Sequence, residues 1–93
     1  MKISGKQVTA ARDLLGITQA ELAEITGLNK ETIFRFEAGK ADPHARSLEK
    51  MVSELERRGI EFTNGTGMGI RLNYEKAAEF ARSIAQAPSN SKQ

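Results

Sequence analysis

Apolar side chains in the first sixty positions recur at helical intervals, and a glycine closes each run. Val8, Ala11 and Leu15 fall three and four residues apart, and Gly16 follows as a stop. Thr18 opens a second helix with Glu21 three positions on. This is the arrangement in which hydroxyl and carboxylate cap each other's backbone N–H. Gly27 ends that helix. Asn29 is a suitable N-cap for a third helix over Lys30–Ala38, which Gly39 terminates. Asp42-Pro43 predicts a fourth, with Asp42 as cap and Pro43 in its first position, where a missing N–H costs nothing. Leu48, Met51, Val52 and Leu55 form its apolar stripe, and Gly59 closes it.

At Ile60 the period changes from about 3.6 to 2. Ile60-Glu61-Phe62-Thr63 and Ile70-Arg71-Leu72-Asn73 both alternate, with a turn-rich stretch between them. Folding about Thr66 sets Ile60 opposite Leu72, Glu61 opposite Arg71 and Phe62 opposite Ile70. A β-hairpin of that register has apolar pairs on one face and an ion pair on the other. The Gly-rich residues 65–69 are therefore a hairpin turn; a phosphate-binding loop would need a helix directly after them. Tyr74–Ala87 returns to helical spacing through Tyr74, Ala77, Phe80, Ala81 and Ile84. Pro88 ends it, and residues 88–93 are expected to be a disordered polar tail.

The segment Thr18–Lys40, TQAELAEITGLNKETIFRFEAGK, holds two short helices around a glycine. Ala23 permits close approach of the helices, Gly27 supplies a positive φ, and Leu22, Ile33 and Phe36 fill the wedge between them. With Arg12, TQAELA at 18–23, Gly27, the Thr32-Ile33, Arg35, Glu37, Gly39-Lys40 series and Pro43, it resembles the Xre-type, lambda-repressor-like helix-turn-helix regulators over residues 5–58. The fold class expected is mainly α: a four-helix bundle over residues 1–59, followed by a β-hairpin and C-terminal helix over 60–87.

The resemblance implies roles for particular positions. Gln19 resembles a glutamine that bonds a DNA phosphate at the start of the second helix. Asn29, Lys30, Glu31 and Arg35 match positions facing the major groove, and Asn29, Thr32, Lys40 and Arg46 resemble backbone contacts. Arginine chemistry suits the O6/N7 edge of guanine, and Lys30 suits a guanine or a phosphate. Glu31 has two readings: an acceptor for the cytosine N4, or a carboxylate stabilising its own helix N-terminus. Arg12 and Glu37 match an ion pair tying the first helix to the third, the alternative being a DNA contact. His44 is either a plain first-turn residue or a phosphate contact. Phe34 departs from the family pattern, because Phe36 already serves the core and one helical face cannot bury both rings. A thymine methyl, a partner subunit, the C-terminal element and partial burial beside the first helix are the alternatives for it.

Composition narrows the chemistry. The 93 residues include no cysteine and one histidine, His44, so thiolate metal sites, disulfides, multi-histidine sites and cysteine nucleophiles are excluded. Neither an enzyme nor a cofactor is expected, and no apolar run spans a bilayer, so the expected location is cytoplasmic. The formal charge is only +2, with 7 basic and 6 acidic groups in residues 1–46 and the same numbers in residues 47–93. Bulk charge therefore decides nothing about a polyanionic partner. The expected function is a sequence-specific double-stranded DNA-binding regulator, a repressor acting as a homodimer on a palindromic site. Ile60, Phe62, Ile70, Leu72, Phe80 and Ile84 are the expected dimerisation residues. The alternative is a protein-interaction module, an antitoxin or anti-activator, using the same fold on a protein partner.

Overall fold

The structure is a computed structural model and describes residues 2–85. Its elements are α1 (Gly5–Leu15), α2 (Gln19–Thr26), α3 (Lys30–Glu37), α4 (Ala45–Arg57), β1 (Ile60–Asn64), β2 (Met68–Leu72) and α5 (Tyr74–Ala85). A mainly α bundle carrying a hairpin and a further helix is thus observed. The expected end of the last helix at Ala87-Pro88 and the tail over 88–93 lie outside the described residues.

Local capping chemistry sets the first three helices. Thr18 Oγ1 accepts from the Glu21 N–H at 3.0 Å, and Glu21 accepts from the Thr18 N–H at 2.8 Å. Asn29 Oδ1 accepts from the Glu31 N–H at 2.7 Å. Gly27 ends α2 at φ 74°, in the left-handed region open to glycine, and so turns the chain toward α3. A second reciprocal box, Ser4 with Gln7, starts α1.

Helix α4 begins later than Asp42-Pro43 predicts. Pro43 fixes its own φ and favours an extended Asp42, but His44 is extended too, with ψ at 152°. The His44 carbonyl is therefore the first acceptor, 3.0 Å from the Leu48 N–H, and Ala45 is the first helical residue. His44 is the N-cap position without a side-chain cap bond.

One core joins the bundle and the hairpin. Val8, Leu22, Ile33, Met51, Leu55 and Ile60 are fully buried within it. Helices α1 and α3 meet backbone to backbone at Gly5, where a Cβ would stand 2.1 Å from the Phe36 carbonyl oxygen. The hairpin has the expected register, Ile60↔Leu72, Glu61↔Arg71 and Phe62↔Ile70, extended by Thr63↔Gly69 and Asn64↔Met68. Glu61 and Arg71 pair at 2.6 Å.

Gln7, only 2 % exposed, fixes the hairpin to α1. Its Nε2 donates to the Thr63 carbonyl at 3.2 Å and the Gly69 carbonyl at 3.0 Å, while its Oε1 accepts from the Ser4 N–H at 2.9 Å.

In this docking the apolar face of the hairpin, which carries four of the expected dimerisation residues, turns toward the bundle. Ile60 belongs to the monomer's own core, and Phe62, Ile70 and Leu72 pack half-buried against it. The bundle leaves the sides of α1 and α4 uncovered, and the hairpin closes them. Helix α5 then packs on α4 with the Phe80 ring against the guanidinium groups of Arg57 and Arg58, whose central carbons lie 4.8 and 4.5 Å from its centroid. Among the six residues, Ile84 alone is exposed.

Candidate nucleic-acid interface

The second and third helices are held in place from behind by an ion pair. Arg12 Nε and Nη2 donate to Glu37 Oε2 and Oε1 at 2.8 and 2.7 Å, and Nη1 donates to the Ile17 carbonyl at 3.0 Å. Gln19 Nε2 adds a bond to Glu37 Oε1 at 2.9 Å. The Arg12 and Glu37 side chains keep only 12 % and 5 % of their surface exposed. Burial by itself pushes the Glu37 carboxyl up, but the hydrogen bonds from Arg12 and Gln19 and the guanidinium charge outweigh it and hold the group below the usual carboxylate range. The bond to Glu37, partly opposed by desolvation, pushes Arg12 further up. The C-terminal end of α1, the first turn of α2 and the last turn of α3 are thereby fixed to one another.

Ile33 and Phe36 are directed into the core and Glu37 into the ion pair, which leaves Lys30, Glu31, Phe34 and Arg35 exposed on the other side of α3. Lys30 and Phe34 stand one turn apart, as do Glu31 and Arg35, giving two adjacent columns. The first borders a hollow formed by Gln19, Asn29, Lys30, Glu31 and Phe34. The second borders a hollow where Glu31, Thr32 and Arg35 meet Asp42, Pro43, His44 and Ser47. Lys30, Glu31 and Arg35 are exposed, and Thr32 is half-buried.

The remaining candidates are more dispersed. Gln19 sits at the junction between the ion pair and the surface: its amide nitrogen is on Glu37, while its backbone N–H lies in the open first turn of α2. A hollow there is lined by Arg12, Asp13, Thr18, Gln19, Ala20 and Lys30. Asn29 uses its carbonyl oxygen as a cap, which leaves its NH₂ for a second partner. Lys40 borders a separate hollow beside Lys2, Ser4 and Gly5. Arg46 is exposed on the first turn of α4 and borders none of these hollows.

The face thus combines the open first turns of two helices with Lys30 and Arg35, while Glu37, the nearest buried carboxylate, is neutralised by Arg12. Such an arrangement suits an anionic, hydrogen-bond-rich partner. The helix-turn-helix family profile matches residues 8–62, which span α1 from Val8 through α4 into the first strand. The chain belongs to the Xre-type, lambda-repressor-like helix-turn-helix family.

Members of this helix-turn-helix family are DNA-binding regulators. The chain is also 31% identical over 81 residues to a protein of Methanococcus vannielii named "Putative HTH-type transcriptional regulatory protein". That stretch is 87% of this chain but 25% of the relative, so the chain spans about a quarter of that protein's length. The shared region extends beyond the helix-turn-helix match, which ends at Phe62 in β1. No helix among the described residues is long and apolar enough to cross a membrane.

Proposed function

We propose that this protein is a sequence-specific repressor that binds double-stranded DNA as a homodimer, with α3 in the major groove of each half of a two-fold operator. The observation that carries this reading is the division of α3. Ile33 and Phe36 bury one side, and Lys30, Glu31 and Arg35 stand exposed on the other, in an orientation fixed by the Arg12–Glu37 pair. In this reading Arg35 takes a guanine edge, Lys30 a guanine or phosphate, and Glu31 a cytosine amino group. The first-turn N–H of Gln19, the Asn29 amide, Thr32, Lys40 and Arg46 contact the backbone and set the docking register.

One eight-residue reading helix covers few base pairs, so a second copy supplies the missing specificity. Helix α5 is the surface offered for that contact. None of its residues is buried, and Tyr74 and Ile84 stand 82% and 56% exposed on it.

Selection of bound fragments from a random duplex pool tests the reading. The expected product is two inverted half-sites about one helical turn apart, with affinity that falls steeply with salt as about four to six phosphates per subunit are neutralised. Enrichment of a single unpaired site overturns the dimer. Absence of any enriched duplex, or affinity indifferent to salt, overturns DNA reading and favours a protein partner for the same face.

A further inference from the structure

We propose that Phe34 reads the 5-methyl group of a thymine, making it a specificity-determining residue beside Lys30 and Arg35; the inference rests on the DNA-binding reading of α3. Phe36 settles which ring belongs to the core: it is 5% exposed, whereas Phe34 is 44% exposed and is not among the side chains packed on the core. The hollow that Phe34 borders is otherwise lined by Gln19, Asn29, Lys30 and Glu31. An aromatic ring with nearly half of its surface exposed therefore stands among hydrogen-bonding groups, one helical turn from Lys30.

Among the described residues, the C-terminal element does not supply its cover. Helix α5 packs on α4, and the hairpin lies against α1 and α4. In the major groove the apolar group available to meet such a ring is the thymine methyl, because the other base edges there present donors and acceptors. A phenyl edge on that methyl removes apolar surface from water on both sides and discriminates thymine from cytosine, which lacks the methyl.

Phe34 is exposed, so Phe34→Ser and Phe34→Leu should retain the fold, as a thermal melt would show. Duplexes are selected from a random pool with the native chain and with Phe34→Ser. Each thymine of the native chain's site is then replaced singly by deoxyuridine, which removes only the methyl.

The expected result is one thymine per half-site whose replacement weakens native binding about fourfold. Phe34→Ser should bind both duplexes equally and lose the preference for thymine at that position, while Phe34→Leu keeps part of it. If the native chain binds its selected site but no deoxyuridine effect disappears in Phe34→Ser, the inference is overturned. It is overturned equally if Phe34→Ser instead loses self-association, because the ring then belongs to a subunit contact. If no duplex is selected by the native chain, the DNA-binding reading fails first and this inference fails with it.

Discussion

Replacing Glu37 by glutamine tests the ion pair that ties α3 to α1, because it removes a charge while keeping the shape. The carboxylate accepts three hydrogen bonds, two from Arg12 and one from Gln19. A glutamine offers one oxygen, and its NH₂ must then face a donor. At least one charge-assisted bond is lost, worth about 1.5–3 kcal/mol, and a guanidinium with 12 % of its surface exposed is left without a counter-ion. The retained bond to the Ile17 carbonyl offsets part of this. The expected loss is about 2–3 kcal/mol, or a Tm lowered by roughly 10–20 °C for a domain of this size. Urea and thermal unfolding at pH 7 measure it.

The pH dependence follows from the direction of the Glu37 shift. Its folded-state value lies below its unfolded one, so the pair's contribution is fully present above about pH 4.3 and is lost as pH falls through the folded value. The gap between native and variant should therefore narrow on acidification below pH 5. Arg12 is pushed up and stays charged throughout that window. A double replacement, Arg12→Met with Glu37→Leu, should recover much of the stability lost in the single variant. A loss below about 0.5 kcal/mol in Glu37→Gln, or a gap that widens in acid, would refute the reasoning.

Two further substitutions test the packing behind the site. Gly5→Ala places a methyl 2.1 Å from the Phe36 carbonyl oxygen, a backbone atom with little room to yield, and should cost about 2–3 kcal/mol in urea unfolding. Gln7→Leu removes the amide bonds to Thr63 and Gly69 and the acceptor for Ser4. It should cost about 2–3 kcal/mol and raise hydrogen exchange in β1 and β2 more than in α3.

What was legible in the sequence was mainly local. The Thr18–Glu21 cap and the Gly27 turn depend on residues within a few positions of one another. The hairpin register follows from the alternation of Ile60–Thr63 and Ile70–Asn73, because a one-residue slip would turn every side chain to the wrong face. Alternation says which residues share a face but not what that face meets, so Ile60 read as a dimer contact while the structure buries it. The roles of Gln7 and Gly5 depend on partners across the fold, at Thr63 and Gly69 and at Phe36. The Ser4–Gln7 pattern was available from spacing alone and marks the start of α1. The late start of α4 was not available, since Pro43 constrains its own φ and the residue before it, whereas the boundary is set by ψ of His44.

For the candidate site, the arginine and glutamate of the ion pair are identified by the family resemblance and their partnership by distance. The sequence suggested Gln19 as a phosphate contact; in the structure its amide bonds Glu37 through one N–H, which leaves the second amide N–H and the backbone N–H for another partner. Sequence reasoning already assigned Phe36 to the core and set Phe34 apart, and the structure agrees, with Phe36 5% and Phe34 44% exposed.

Whether the exposed columns of α3 read DNA is decided by titrating the selected duplex with Lys30→Ala/Arg35→Ala. Both side chains are exposed, so the melt should be unchanged within about 0.5 kcal/mol. Arg35→Ala alone should weaken specific binding about 10- to 100-fold. The double variant should fall to the affinity of an unrelated duplex. Binding of the selected site by the folded double variant at native affinity would mean that α3 does not read DNA.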